Sequence, residues 1–242
     1  MGYTHNRHVR VDFIRENILI QTHTIDAAYR NGTTKLLFLG SSCIYPKYAE
    51  QPICEDAILT GLLEPTNMPY ALAKIAGKVM CDAYRRQYGF DAFTVMPSNV
   101  YGVGDNFDPE HSHVLAGLMR RFHEAKVSGA PEVVAWGTGS PMRELVYCDD
   151  LADACVFIME NYTEGGLINA GTSEEWSIKE ITNLMANVTG FTGKIVWDSS
   201  KPDGAPRKIM DNTKVQNLGW RHKVNLNDGL MQRYRWFQDN VA

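Results

Sequence analysis

Several features that mark specialised classes of protein are missing from this 242-residue sequence. It has no run of about 20 apolar residues, so we expect no transmembrane helix and no membrane partner. Its first residues lack the apolar core of a secretory signal. The five cysteines include no C-x-x-C pair, and their odd number disfavours a disulfide framework. We therefore expect a reduced, cytoplasmic protein, and we expect no metal site.

A strong charge of either sign is also missing. The formal net charge is −4, and 44% of the residues are hydrophobic and 21% are charged. This balance is typical of a soluble globular protein, and it gives no sign of the basic surface that binds nucleic acid. We expect no nucleic-acid partner.

What the sequence does contain is an alternation of helix and strand. Apolar residues recur at helical spacing over 9–31, and a second long helix is predicted over 69–88. Gly32 and Gly89 suit the ends of these two helices. Each helix is followed by a short apolar run, first "KLLFLGSS" and then "DAFTVMPSNVYG", in which we expect a buried parallel strand. The order helix, strand, helix, strand predicts an α/β fold with a Rossmann-like parallel sheet.

After residue 102 the predicted elements become shorter. We expect helices in "SHVLAGLMRRFHEAKVSG", "DDLADACVFIMENY" and "LNDGLMQRYRWFQDNV", and strands in "PEVVAWG", "GGLINAGT" and "GKIVWD". The segment "SIKE" at 177–180 has the form of a capping box before another helix. We predict two domains: residues 1–102, rejoined by about 145–172, form the Rossmann-like sheet, and residues 103–144 and 173–242 form a smaller α/β domain.

One group of residues indicates acid–base chemistry. Tyr70 and Lys74 lie one helical turn apart, so their side chains share a face. A protonated lysine beside a phenol favours the phenolate, and we expect Lys74 to lower the pKa of Tyr70. Ser41 follows the preceding strand, at the edge where open parallel sheets bind ligands. The alternative is a surface pair, because Tyr-x-x-x-Lys arises by chance in many helices.

Three further residues are candidates with open alternatives. Cys43 is two positions beyond Ser41 and is expected to point toward the same site, but a small buried core residue is the alternative. His113 begins a helix and shares a face with Arg121, two turns later. A surface histidine without a role is the alternative for His113.

Longer strings make the interpretation specific. The segments "GSSCIYPK", "EPTNMPYALAKIAGK", "MPSNVYGVGDNFDPEHSHVLAGLMRRFHEAK", "AWGTGSPMRELVY" and "KPDGAPRK" resemble the GDP-L-fucose synthases. These are NADPH-dependent epimerase/reductases of the extended short-chain dehydrogenase/reductase superfamily, and the resemblance runs from about residue 13 to about residue 238. It implies that GDP-4-keto-6-deoxy-D-mannose is epimerised at C3 and C5, beside the ketone, and is then reduced at C4 to GDP-L-fucose.

The resemblance also implies roles for matching positions. Ser41, Tyr70 and Lys74 match the reductase triad, and Cys43 and His113 match the acid/base pair of the epimerisation. The positions that match contacts to NADPH or NADP are Leu39, Gly40, Ser41, Ser42, Lys74, Pro97, Ser98, Asn99, Val100 and His113. The positions that match contacts to the GDP-sugar are Arg121, Trp136, Arg143, Asp203 and Lys208. The first predicted domain then binds the cofactor and the second binds the GDP-sugar. For Trp136, stacking on guanine and burial in the core are equally open.

One element of the family is not found in the sequence. No G-x-G-x-x-G turn follows a strand, since "GVGDNF" and "GTGSPM" lack the third glycine. At about 30 residues per βαβ unit, we expect that roughly 60 residues of the Rossmann half are absent. We also expect the "KLLFLGS" strand to have an unpaired edge.

Three hypotheses about function remain open from the sequence. The first is the epimerase/reductase activity. The second is another nucleotide-sugar epimerase or dehydratase of the same superfamily, and the third is a non-catalytic fragment that serves as a dimerisation or binding module. The resemblance also implies a homodimer in which the helices near 9–31 and 69–88 form a four-helix interface.

Overall fold

The computed structural model describes residues 10–109, 111–201 and 203–242. Over these ranges the helices are α1 (Arg10–Arg30), α2 (Met68–Tyr88), α3 (Val114–Ser128), α4 (Cys148–Asn161), α5 (Ile178–Thr189), α6 (Thr213–Asn217) and α7 (Leu226–Asn240). The strands are β1 (Lys35–Leu39), β2 (Asp91–Pro97), β3 (Asn99–Tyr101), β4 (Glu132–Trp136), β5 (Met142–Arg143), β6 (Leu145–Tyr147), β7 (Gly166–Ala170), β8 (Trp176–Ser177), β9 (Lys194–Asp198) and β10 (Arg207–Lys208). Short 3₁₀ turns occupy Ser42–Ile44 and Glu55–Ala57.

The main sheet has three parallel strands in the order β1–β2–β7. Leu39 pairs with Val95 at the end of β1, and Pro97 pairs with Ala170 at the ends of β2 and β7. Because all three strands run in the same direction, their carboxyl ends meet at one edge. That edge is where open α/β sheets bind ligands. The strand predicted within "GGLINAGT" is β7, and it joins this sheet beside β2.

Helices cover both faces of the main sheet. On one face, Ile25 of α1 and Cys81 of α2 pack in a buried cluster with Ala92 of β2. On the other face, Ile158 of α4 packs in a cluster with Phe93 of β2. Ala92 and Phe93 point to opposite faces because side chains alternate along a strand. This three-layer arrangement is the Rossmann-like α/β fold that the sequence predicts.

The remaining elements pack beside the sheet around a second apolar cluster. Helices α3, α5 and α7 contribute Phe122, Met185 and Leu230 to it, among other buried side chains. β4 pairs with β9, β3 with β6, and β5 lies between β10 and β8. The predicted division into two domains stays a prediction.

Several predicted elements differ in detail from the structure. The segment "DAFTVMPSNVYG" is two strands, because the chain leaves the main sheet after Pro97 and Asn99 donates from its backbone N–H to the carbonyl of Glu144 at 3.3 Å. The segment "KPDGAPRK", for which no strand is predicted above, ends in β10, which pairs with β5. The predicted helix at 9–31 is α1, and residue 9 lies outside the described residues.

Within residues 10–109, 111–201 and 203–242, no helix is both long enough and apolar enough to cross a membrane.

The predicted capping box at the start of α5 is present. The hydroxyl of Ser177 accepts from the backbone N–H of Glu180 at 3.1 Å, and the Glu180 carboxylate accepts from the backbone N–H of Ser177 at 2.8 Å. We expect Ser177→Ala to lower the free energy of unfolding by about 1 kcal/mol, because one N–H at the helix start loses its acceptor. Urea unfolding followed by circular dichroism measures this value.

Ser128→Ala is the matched control, since the Ser128 hydroxyl only donates back to carbonyls of its own helix, that of Glu124 at 2.8 Å among them. We expect it to change the free energy by less than about 0.5 kcal/mol. Equal losses for the two variants would contradict the capping role of Ser177.

Candidate active site

The first part of the site is the turn that follows β1. Gly40 is buried there, and a Cβ at this position would lie 2.5 Å from Cε of Met96. The chain then enters the 3₁₀ turn Ser42–Ile44, where the hydroxyl of Ser41 accepts from the backbone N–H of Cys43 at 3.5 Å. Because Gly40 has no side chain, the backbone can pass close to Met96 of β2. This path brings Ser41 and Cys43 to the carboxyl edge of the sheet.

The second part is the first two turns of α2, which carry Tyr70 and Lys74. The Ser41 side chain lies near the Tyr70 hydroxyl and lowers its pKa. Lys74 Nζ donates to the carbonyl of Leu39 at 2.9 Å and lies 5.8 Å from the centre of the Tyr70 ring. The structure thus brings together the three residues that match the reductase triad.

The protonation of Tyr70 differs from the expectation. The pKa of Tyr70 is raised to about 12, first by burial and then by the nearby Cys43, while the Ser41 side chain lowers it only in part. The expectation that Lys74 lowers the pKa of Tyr70 is therefore wrong in this structure. Its physical reason is that desolvation of the phenol dominates, while the Lys74 ammonium donates to the Leu39 carbonyl. A neutral phenol at pH 7 is a proton donor.

Cys43 is partly buried and lies beside Tyr70. Burial raises the pKa of its thiol, whereas Lys208, the Ser41 hydroxyl and Lys74 act in the opposite direction. Cys43 therefore holds its proton at pH 7, with Lys208 and Lys74 near enough to favour its anion. Its acid–base role stays a prediction.

A cavity of about 450 Å³ opens beside Cys43. It lies between the turn after β1, the loop before α2, and the segment that includes β10. Its lining carries cationic groups and two carboxylates; its residues are Ser42, Cys43, Tyr45, Pro46, Lys47, Gln51, Ile53, Glu64, Thr66, Asn67, Asn99, Arg143, Asp203, Gly204, Ala205, Arg207 and Lys208. The described residues that line it include three of the five predicted GDP-sugar residues and do not include His113.

Arg143 and Lys208 are neighbours in this lining, because β5 and β10 pair with Arg143 opposite Lys208. Burial lowers the pKa of both side chains. The negative charge of Asp203 opposes the effect on Arg143, and Cys43, in its thiolate form, opposes the effect on Lys208. Two partly desolvated cations side by side are suited to bind an anionic group such as a diphosphate.

Trp136 and Arg121 form a separate group at the end of β4. Trp136 is 59% exposed, so it is not a core residue. Its ring lies between two cations, since Arg121 Cζ and Lys201 Nζ are each 5.6 Å from the ring centre. Asp203 connects this group to the cavity, because its carboxylate accepts from the backbone N–H of Thr138 at 2.7 Å and from the Thr138 hydroxyl at 2.8 Å.

The remaining predicted positions lie along the carboxyl edge or on α3. Leu39 is exposed at the end of β1, and Pro97 ends β2. Ser98 is buried, and its hydroxyl has no hydrogen-bond partner among the described residues. Asn99 and Val100 begin β3. His113 is the exposed N-cap residue of α3, so its pairing with Cys43 stays a prediction.

Sequence reasoning missed three residues of this region. Glu64 lines the cavity and accepts from the backbone N–H groups of Thr66 and Asn67 at 2.9 and 3.1 Å. Lys201 lies against Trp136. Glu144 is fully buried next to Arg143. The sequence does contain a sign of Glu144: a carboxylate directly before the apolar strand "LVY" indicates a buried charge that needs partners.

Over the part of the chain that the structure describes, no group of three or more His, Cys, Asp or Glu side chains could hold a metal ion.

The amino-acid sequence is similar to those of known proteins over nearly its whole length. The family model for the NAD dependent epimerase/dehydratase family matches residues 2–171. The chain is 58% identical over 241 residues to a protein named putative GDP-L-fucose synthase 2 from Arabidopsis thaliana, covering 100% of this chain and 74% of that protein. It is 49% identical over 248 residues to the GDP-L-fucose synthase of Escherichia coli strain K12, covering 99% of this chain and 77% of that protein.

Solved structures are similar over nearly the whole chain. A GDP-L-fucose synthetase from Naegleria fowleri bound to NADP matches with a TM-score of 0.90 and 29% identity, over 96% of this chain and 74% of that one. A GDP-6-OMe-4-keto-L-xylo-heptose reductase from C. jejuni matches with a TM-score of 0.91 and 34% identity, over 98% of this chain and 79% of that one. The chain therefore spans about three quarters of the length of these proteins.

Proposed function

The chain belongs to the NAD-dependent epimerase/dehydratase family, among the GDP-L-fucose synthases, and we propose that it converts GDP-4-keto-6-deoxy-D-mannose to GDP-L-fucose with NADPH as reductant. The observation that carries the proposal is the contact of Ser41, Cys43, Tyr70 and Lys74 at the carboxyl edge of the sheet, beside a cavity lined by Arg143 and Lys208. The contacts among these residues suit acid–base chemistry at a ketone, and the cations suit a nucleoside diphosphate.

The residues at this edge fit the nicotinamide end of the cofactor. The Ser98 hydroxyl is buried without a partner among the described residues, so a bound group can satisfy it. Lys74 supplies a cation within the same edge, next to the Tyr70 ring. NADPH, when bound, supplies the hydride for C4.

Reduction of C4 needs a proton for the oxygen that becomes a hydroxyl. Tyr70 is suited to give that proton, because burial keeps its phenol neutral at pH 7. Ser41, which lies near the Tyr70 hydroxyl, is a second donor to the same oxygen. Lys74 helps to hold Tyr70 in place, because its hydrogen bond to the Leu39 carbonyl ties α2 to the end of β1.

Epimerisation at C3 and C5 removes a proton beside the ketone and returns one from the other face. The donors Tyr70 and Ser41 stabilise the enolate oxygen that forms. We assign the acid–base work to Cys43 and His113, with Cys43 as the proton donor because burial favours its neutral thiol.

The nucleotide part of the substrate has its own candidates. Arg143 and Lys208 suit the diphosphate, and Asp203 holds the turn that follows Trp136. The exposed Trp136 ring, with Arg121 against it, suits stacking on guanine. We assign residues 103–144 and 173–242 to this binding function and residues 1–102, with about 145–172, to the cofactor.

The first test is turnover of GDP-4-keto-6-deoxy-D-mannose by the 242-residue chain, followed by loss of NADPH absorbance. We expect Tyr70→Phe to lower the rate of NADPH oxidation by at least about 100-fold, because the proton donor is lost. Tyr88→Phe is the control on the same helix, where the ring is 50% exposed and stacks on Tyr29, and it should leave the rate unchanged.

A folded wild-type chain that neither binds NADPH nor oxidises it would refute the catalytic proposal and favour the non-catalytic module. If the wild-type chain oxidises NADPH and Tyr70→Phe oxidises it at the same rate, Tyr70 is not the proton donor of the reduction, and the rest of the proposal stands.

Cys43→Ala separates the two reactions. We expect it to slow solvent deuterium incorporation at C3 and C5 by about 100-fold, because an acid–base group of the epimerisation is removed. NADPH oxidation with substrate that is already epimerised should fall much less. Nuclear magnetic resonance of the sugar follows the exchange, and exposed Cys54→Ala is the control. Small, equal losses in both steps would return Cys43 to a packing role.

We also propose that the chain is a homodimer through α1 and α2. Each helix carries exposed apolar side chains two turns apart, Val11 and Ile18 on α1 and Leu72 and Val79 on α2. Such a stripe on adjacent helices is typical of a face that is covered by another helix pair.

Leu72→Glu should convert the dimer to a monomer, because it introduces a charge into the centre of that face. Sedimentation equilibrium measures the mass. Val156→Glu is the matched control, since Val156 is 60% exposed on α4, and it should leave the mass unchanged. Dimers that survive Leu72→Glu would exclude this face.

A reducing compartment is consistent with this function. All five cysteines are free thiols, and the reaction consumes NADPH. We therefore propose a cytoplasmic location.

A further inference from the structure

Glu144 is the most deeply buried carboxylate near the candidate site. It has no exposed surface and lies between β5 and β6. Its oxygens accept from the backbone N–H groups of Ser173 and Met210, each at 2.8 Å, and from Nδ2 of Asn212 at 2.7 Å. Burial raises the pKa of Glu144, and these hydrogen bonds oppose the rise. A buried carboxylate with several neutral donors fixes the segments that carry them.

One of those segments carries Lys208. Met210 is two residues beyond Lys208, and the same stretch pairs with β5 so that Lys208 lies opposite Arg143. On its other side the stretch is held by Ile53, which donates to the carbonyl of Ile209 at 2.9 Å. Gln51 Oε1 also accepts from the backbone N–H of Ile209 at 2.9 Å. Glu144 is therefore one of several anchors, and removing it should loosen the segment without unfolding it.

Lys208 faces Cys43 across the candidate site. Both line the same cavity, and each acts on the charge of the other. Cys43 is also near Ser41 on its own turn and near Tyr70 and Lys74 on α2. Lys208 in turn is near Arg143 on β5 and Glu64 before α2. Among the charged neighbours of Cys43, Lys208 favours the thiolate most strongly.

We propose that Glu144 is a positioning residue for the proton chemistry of Cys43, because it holds the 207–212 segment so that the Lys208 ammonium stays beside the thiol. This inference rests on the proposed role of Cys43 in the epimerisation. When Cys43 protonates the enolate, its S–H bond breaks, a C–H bond forms at the sugar carbon, and the electron pair of the S–H bond stays on sulfur. The negative charge thus moves from the enolate to the thiolate, and Lys208 stabilises it there.

The test measures the thiolate directly and needs neither substrate nor cofactor. The rate of Cys43 alkylation by iodoacetamide is followed against pH, with mass spectrometry of the Cys43 peptide as the readout. Lys208→Met should slow alkylation about tenfold below the thiol pKa, because the pKa rises when the cation is lost and only the thiolate reacts. Lys208→Arg should restore most of the rate, and Lys194→Met, which removes an exposed cation on β9, should change nothing.

Glu144→Gln is nearly isosteric but turns an N–H toward one of the donors that Glu144 now accepts. We expect it to slow alkylation severalfold and to shift the pH profile in the same direction as Lys208→Met. In the Lys208→Met background, Glu144→Gln should add no further slowing, because its effect passes through Lys208. Circular dichroism verifies that each variant is folded.

Two results would overturn the inference: an unchanged rate in Lys208→Met, or an equal slowing by Glu144→Gln with and without Lys208. If Glu144→Gln does not fold, Asn212→Leu takes its place in the same cycle, because it removes one donor to Glu144. A chain that fails to turn over substrate but shows the non-additive alkylation rates would retain the effect of Glu144 on Cys43 through Lys208 and refute the proposed function, so the two failures are distinguishable.

Discussion

The parallel pairing of β2 with both of its neighbours is the constraint on which the rest of the structure depends. It brings the ends of β1, β2 and β7 to one edge, so that the turn after Leu39 and the start of β3 after Pro97 emerge side by side. Lys74 of helix α2 donates to the Leu39 carbonyl, and this bond ties α2 to the strand end where Tyr70 lies near Ser41. A shift of one residue in the β1–β2 pairing would turn the side chains of β1 to the opposite face and move this turn away from α2.

Desolvation then sets the protonation of the site. Burial raises the pKa values of Tyr70 and Cys43 and lowers those of Lys74, Arg143 and Lys208, so every one of these groups is shifted toward its neutral form. For the two acids the consequence is that they hold their protons at pH 7 and can give them to a substrate. For the cations the consequence is that an incoming anion gains more from them than from a solvated lysine or arginine.

The sequence predicted the elements well where the signal is local. The helical spacing in 9–31, the apolar run "KLLFLGSS" and the "SIKE" capping box each reflect neighbours within a few residues, and each is present. The meeting of Ser41, Tyr70 and Lys74 was also predictable, because the strand end and the first turns of the next helix share one edge. The pKa of Tyr70 was not, since it depends on burial by parts of the chain that are distant in sequence. The exposure of Trp136 was left open and Glu144 was missed for the same reason. Both depend on contacts distant in sequence: Glu144 accepts from residues 66 and 68 positions later.

The carboxylates of this region serve mainly to hold loops. Glu64 accepts from the backbone before α2, Asp203 from the turn after β4, and Glu144 from the segment that follows β10. Arg143 donates to an uncharged group, the carbonyl of Met142 at 2.7 Å. Since Glu64, Asp203 and Glu144 direct hydrogen bonds to backbone N–H groups, they fix the cavity without forming ion pairs with Arg143 or Lys208. This division lets one cavity combine loops that are held by carboxylates with two cations suited to a diphosphate, and it is the basis of the proposed effect of the buried Glu144 on Lys208.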